Sequence, residues 1–157
     1  MVRYRMVKDV AMGKSFVLLL CAVLTVFIFP LEALAADCFD LASRYQGVNA
    51  TMLRAIAMKE NSRCDARISK NTNGSVDVGC MQINSIHFPE LQKHGVFPKD
   101  LLDQCKNIYI GAWHYKKMIQ KYGNTWEAVG AYHSEKPVLR DQYALGVYKI
   151  LKQYGYL

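Results

Sequence analysis

Glu60 and Asp77 are two carboxyl groups in unlike settings. Glu60 follows Leu53, Ile56 and Ala57 at the three- and four-residue spacing that puts all four on one helix face. A carboxyl on an apolar face loses water. That penalises its charged form, raises its pKa and suits it to general acid work near neutral pH. Asp77 lies in a turn-rich polar loop, Asn71-Thr-Asn-Gly-Ser-Val-Asp-Val-Gly79, where an ionised carboxylate is at home. Such a pair suits the cleavage of a sugar–sugar bond: one carboxyl protonates the leaving oxygen, and the other stabilises or attacks the cationic sugar centre. The plain alternatives are a Glu at a helix end with its head in solvent, and an Asp that caps its own turn.

Helices must hold that pair. The sequence predicts one from Asp37 to Gln46, with Phe39, Leu41, Ala42 and Tyr45 as its apolar face and Gly47 as its stop. Asn49 is a suitable N-cap for a second helix, which carries Glu60. Residues 64–84 read as a small hairpin or loop region, with Val76 to Ile83 extended or irregular. Helical spacing returns from Asn107 to Lys121 and stops at Gly123. A short helix follows through Trp126, Ala128 and Val129 to Tyr132, capped by Asn124 or Thr125, and a last one runs from Pro137 to Tyr154. Trp113 and Trp126 are read as core residues. The expectation is an α+β, predominantly helical domain with one small extended insertion.

The 157-residue chain suits one domain. It opens with Arg3, Arg5, Lys8 and Lys14, continues with an apolar run from Phe16 to Phe29, and reaches the small-residue stretch Ala33-Leu-Ala-Ala36. That order is the order of a secretory signal peptide, and the run is short of the about 20 residues of a membrane span. The expected division is a signal peptide over 1–36 and one domain over 37–157, exported to the periplasm. Removing residues 1–35 lowers the net charge from +7 to +5, with 16 basic and 11 acidic side chains left. A moderately basic exported protein is drawn to polyanions such as a cell wall. There is no block of like charge, so a nucleic-acid tail is not expected. Cys21 leaves with the leader, and Cys38, Cys64, Cys80 and Cys105 remain, an even number that favours two disulfides among three pairings. No CxxC or Cys/His spacing points to a metal, and no cofactor is expected.

Three spaced segments resemble a known family. Gly79-Cys-Met-Gln-Ile-Asn84, Gly111-Ala-Trp113 and Trp126-Glu-Ala-Val-Gly-Ala-Tyr132, in order after Glu60, are similar to motifs of the lytic transglycosylases encoded beside type III secretion, type IV secretion and pilus systems, the SLT branch of the lysozyme superfamily. The interval from Glu60 to Asp77, and its loop, resemble the acidic pair of animal-type lysozymes. The resemblance implies a lysozyme-like fold and a peptidoglycan lytic transglycosylase cutting the bond from N-acetylmuramic acid to N-acetylglucosamine. It implies Glu60 as acid, Asp77 as its partner, Gln82 and Asn84 as groove residues that bond the sugar, and Tyr132 with its hydroxyl near Glu60. The runner-up readings are a hydrolytic muramidase and a peptidoglycan-binding assembly factor without catalysis.

The chain also departs from the family pattern. Asn61 and Ser62 replace a Ser-Gly turn, His133 follows Tyr132 where Asn is usual, and Cys64 and Cys80 occur together. The paired novelty suggests a Cys64–Cys80 bridge, which leaves Cys38–Cys105 as the more general family bridge. Implied partners are glycan strands and a component of a secretion system or pilus, with a monomer as the default.

Overall fold

The computed structural model describes residues 37–157, so the signal-peptide assignment to 1–36 lies outside the described residues. Helix α1 spans Cys38–Gln46. Its N-cap Asp37 accepts from the Asp40 N–H at 3.0 Å and ion-pairs with Arg54 at 2.8 Å. Gly47 closes it in the left-handed conformation (φ 64°, ψ 45°), which glycine adopts at no steric cost. Helix α2 spans Ala50–Glu60, capped by Asn49, whose side chain accepts from the Met52 N–H at 2.9 Å.

What ends α2 places the catalytic candidate. Asn61 turns extended (φ −151°, ψ 92°), and its buried amide donates to the Asp65 carbonyl at 3.0 Å and to Asp65 Oδ1 at 2.9 Å. Glu60 is therefore the last helical residue, facing the sheet region. There β1 (Ile68–Lys70), β2 (Val76–Val78) and β3 (Ile83–Asn84) form an antiparallel sheet in that order. The register sets Ser69 opposite Asp77 and Asp77 opposite Asn84. The expected extended segment thus gains a strand on its N-terminal side.

Two 3₁₀ turns, Ser85–His87 and Pro98–Leu102, flank α3 (Phe88–Lys93), none of which the sequence reading drew. Helix α4 spans Gln104–Tyr122 and begins before the expected Asn107, because Asp103 caps it by accepting from the Lys106 N–H at 2.8 Å. Helix α5 spans Trp126–Ala131, capped by Thr125, and α6 spans Pro137–Gln153. The predominantly helical α+β class holds.

The core centres on α4. Ile108, Ala112 and Tyr115 are at most 1 % exposed and join Leu53 and Ile56 of α2, Val129 of α5 and Val147 of α6. A methyl group at Gly111 would collide with Met81, so only glycine lets α4 approach the loop after β2 this closely. Asn107, fully buried, stitches the same contact: Oδ1 accepts from the Met81 N–H at 2.7 Å, and Nδ2 donates to the Val78 and Leu101 carbonyls at 2.8 and 2.9 Å. A buried carboxamide with all these bonds made fixes the loop at little polar cost.

Cys38 is bonded to Cys105, tying α1 to the start of α4. Cys64 is bonded to Cys80, tying the turn after α2 to the loop after β2. Three apolar expectations need correction. Leu41 is 40 % and Tyr45 77 % exposed, because only the Ala42 side of α1 meets the core. Trp126 is 41 % exposed rather than core, because the first residue of α5 precedes the turn that buries Ala128 and Val129. Trp113 does pack partly buried against the core.

Candidate active site

A cavity of about 420 Å³ lies between the helices and the sheet, and Glu60, Asp77, Gln82, Asn84 and Tyr132 all line it. Glu60 reaches it from the end of α2. Burial pushes the Glu60 carboxyl up to about 7, and the negative charge of Asp77 adds to the rise. The Tyr143 hydroxyl, Lys59 and Arg67 act in the opposite direction. Near neutral pH a substantial share of Glu60 is therefore protonated, the state a general acid needs.

Asp77 stands in the middle strand with both oxygens held. Asn84 Nδ2 donates to Oδ1 at 2.6 Å, and Asn71 Nδ2 donates to Oδ2 at 2.8 Å. Two amides thus fix the carboxylate at the cavity wall. This local order follows from the loop sequence: Asn71 accepts the Gly74 N–H at its carbonyl, and Asn73 Oδ1 accepts from the Ser75 N–H at 3.0 Å, closing the turn between β1 and β2.

Gln82 and Asn84 line the cavity with their amides turned into the loop. Gln82 Oε1 accepts from Ser69 Oγ at 2.8 Å, and Nε2 donates to the Gly79 carbonyl at 2.7 Å. Its backbone sits in the left-handed region (φ 47°), unusual for a residue with a side chain. Asn84 Oδ1 accepts from the Ile86 N–H at 3.0 Å, so this one side chain caps the 3₁₀ turn and holds Asp77. Tyr132 lines the cavity too, but its hydroxyl donates to the Met81 carbonyl at 2.9 Å. Burial, with the charges of Glu60 and Asp77, raises its phenol well above the usual range.

Sequence reasoning did not place Tyr143 in the site, yet it too faces Glu60. The buried Tyr143 hydroxyl of α6 is directed at the Glu60 carboxyl, yet it reaches hydrogen-bond geometry with no group among the described residues. Its sequence signal is a polar-tipped aromatic on the buried face that includes Val147 and Leu151. His133 stacks on Tyr143, ring centroids 5.0 Å apart and planes within 3°. Burial, then the nearby Lys59, lowers the His133 pKa.

A file of rings, of which Tyr132, His114 and His87 line the cavity, runs from Tyr143 to Tyr132, Tyr132 to His114, His114 to His87, and His87 to Trp113. His114 Nε2 lies 3.0 Å from the Tyr132 carbonyl, which only accepts, so Nε2 carries the proton. Burial drives its pKa down to about 4, and the ring is neutral. Among the described residues no group of three or more His, Cys, Asp or Glu side chains is arranged to hold a metal ion. No helix among them is long and apolar enough to cross a membrane.

Residues 37–143 match the family model described as the transglycosylase SLT domain. Among curated relatives, the X polypeptide of Escherichia coli is 42 % identical over 123 residues, 74 % of this chain and 73 % of the relative. The invasion protein IagB of Salmonella typhimurium is 33 % identical over 132 residues, 81 % of this chain and 82 % of the relative. The protein IpgF of Shigella flexneri is 34 % identical over 119 residues, 73 % and 78 % of the two chains.

Proposed function

The chain belongs to the transglycosylase SLT domain family and is a peptidoglycan lytic transglycosylase, and from that premise we propose that Glu60 cleaves the β-1,4 bond between N-acetylmuramic acid and N-acetylglucosamine. The carrying observation is a carboxyl pushed up to about 7 by burial in a cavity that also holds a fixed carboxylate. Protonated Glu60 donates to the glycosidic oxygen as the bond to muramoyl C1 breaks. Positive charge builds on that ring, and the charge of Asp77 stabilises it. Glu60, now a carboxylate, takes the proton of the muramoyl C6 hydroxyl. The oxygen of that hydroxyl bonds to C1, which closes a 1,6-anhydro ring, restores the acid and consumes no water.

A second reading rests on Asp77. Held by Asn71 and Asn84, it suits an enzyme in which water attacks the sugar and the product is a reducing end. Digestion of purified peptidoglycan, followed by mass spectrometry, separates the two. Anhydro ends support the transglycosylase route, ends heavier by one water support hydrolysis, and absence of products from folded protein removes the catalytic reading.

The position of Tyr132, Gln82 and Asn84 supports a role in shaping the groove for the sugar rather than in proton transfer, since their polar atoms are engaged within the fold. Residues 1–36 act as a cleaved export signal in this reading, and 37–157 as a monomeric periplasmic enzyme. Its likeness to the invasion protein IagB supports local wall opening for a secretion system or pilus, with a component of that apparatus as protein partner. N-terminal sequencing of the periplasmic form tests the export step.

A further inference from the structure

One corner of the cavity carries groups that the proposed cleavage does not use. His133 lines the cavity together with Glu60 and is well exposed there. Its ring lies flat on Tyr143 of α6, centroids 5.0 Å apart, and neither ring nitrogen has a hydrogen-bond partner among the described residues. Lys59, which precedes Glu60 in α2, crosses to the same helix. A Cβ added at Gly146 would stand 2.8 Å from Lys59 Cε and 3.5 Å from Nζ. Gly146 comes three residues after Tyr143, so α6 carries the imidazole on one turn and the ammonium on the next. The Lys59 charge accordingly reaches the His133 ring. Lys59 is exposed and enters none of the ion pairs among the described residues.

The rest of the cavity is differently equipped. The sheet wall offers the neutral side chains of Asn71, Asn73 and Ser75, and the Asp77 carboxylate, which two amides already hold. His87 and His114 are less exposed than His133, and burial holds both rings toward the neutral form. Glu135 is taken by Lys121 and by the Tyr122 hydroxyl. The His133 corner joins a free N–H donor to an unpaired cation, the arrangement that accepts a carboxylate.

A bacterial wall strand brings such carboxylates. Its muramoyl ring bears at C3 a lactyl group and a peptide stem with free carboxylates, and this is the ring whose C1 reacts at Glu60. The stem therefore starts beside the acid, and each of its residues reaches about 3.5 Å further. We propose that His133 and Lys59 form a specificity-determining site for a carboxylate of the peptide stem, the imidazole N–H donating to one oxygen and the ammonium pairing with the other. The enzyme then favours strands whose stems carry free carboxylates. This rests on the glycan-cleaving reading of the Glu60 cavity.

Binding tests the site without turnover. The E60Q protein is titrated with soluble, uncross-linked glycan strands whose stem amines are acetylated and whose stem carboxylates are either free or converted to carboxamides. The expected preference for free carboxylates is about tenfold in Kd, the order of one charge-assisted hydrogen bond. In the same background K59M removes the ammonium, and H133F keeps a ring on Tyr143 but removes its N–H. Each should lower the preference about threefold, and K59R should keep it. K99M removes an exposed lysine of the 3₁₀ turn Pro98–Leu102, outside the cavity lining, and should leave the preference as it is. Melting curves identify any variant that has lost its fold, and the contrast of K59M with K59R carries the test if H133F has. Absence of a preference in the E60Q protein overturns the site. So does a preference that K59M leaves intact, or one that K99M lowers as much as K59M does, which would assign it to bulk positive charge. Cleavage by the wild type is a separate readout: no products with a retained preference removes the catalytic reading and keeps the site, and cleavage without a preference does the reverse.

Discussion

The buried Tyr143 hydroxyl is directed at the Glu60 carboxyl, yet it reaches hydrogen-bond geometry with no described group. Its presence acts to lower the Glu60 pKa against the larger effect of burial. In Tyr143→Phe the acid should therefore stay protonated to higher pH, and the alkaline limb of the pH–rate profile should move upward. Loss of a hydroxyl that makes no bond should change the melting temperature little. An unmoved limb in a well-folded variant would mean that Tyr143 does not tune Glu60.

Glu60→Gln keeps the shape and removes the proton. Cleavage of peptidoglycan should fall by roughly 10² to 10⁴, the usual contribution of general acid catalysis. Stability should change in the other direction. The folded carboxyl, pushed up to about 7, binds its proton more tightly than the unfolded one, whose pKa is the ordinary 4.5. As pH rises through that window the wild type loses up to about 3 kcal/mol from this group, because the folded state must give up a proton it prefers to keep. The Gln variant should therefore melt higher than wild type at pH 8. Equal melting temperatures there would show that Glu60 is not desolvated.

Asp77→Asn removes the charge that helps to raise Glu60. The alkaline limb of the rate profile should shift to lower pH, opposite to the Tyr143→Phe shift. The size of the rate loss is informative as well. A loss as deep as that of Glu60→Gln would make Asp77 a covalent or base partner, and a shallow one would leave it an electrostatic helper.

Asn107 has three hydrogen bonds in a fully buried place. Asn107→Leu leaves the Met81 N–H and two carbonyls without their partner, at about 1 to 3 kcal/mol each. Urea denaturation should show a loss of several kcal/mol. Because Met81 sits beside Gln82 and Tyr132, cleavage should drop even at temperatures where the variant is folded.

The two disulfides should separate stability from activity. Cys38–Cys105 spans 67 positions and Cys64–Cys80 spans 16, worth about 4 and about 3 kcal/mol by loop closure. Replacing Cys38 and Cys105 with Ala should therefore cost more stability. Replacing Cys64 and Cys80 should cost more activity, because that bridge joins the turn after Glu60 to the loop that carries Gln82. Equal activity losses at equal folded fraction would argue against a positioning role for the second bridge.

Much of the fold is legible in the chain because caps and spacing agree. Asp37 with Gly47, then Asn49, Thr125 and Pro137, mark helix ends that the structure also has. Helix α3 and its flanking 3₁₀ turns carry no sustained period, and they rest on the tertiary burial of Leu91 and Leu101. The burial of Glu60 can be anticipated from its helix face. The contacts that organise its surroundings cannot, because they join distant positions: Asn107 with Met81, Tyr132 with Met81, Tyr143 with Glu60. The backbone of Gln82 escapes the sequence for a different reason, a left-handed conformation at a residue type that rarely adopts one.

Glu60 and His114, two buried ionisable side chains of one cavity, have opposite proton affinities. Unfolding releases the proton held by Glu60 between about pH 4.5 and 7, and it takes one up at His114 between about 4 and 6.5. Across mildly acidic pH the two changes nearly cancel, so the domain exchanges almost no net proton through them when it opens. The two side chains thus offset one another: the stability that Glu60 gives up as pH rises through that interval is returned by His114.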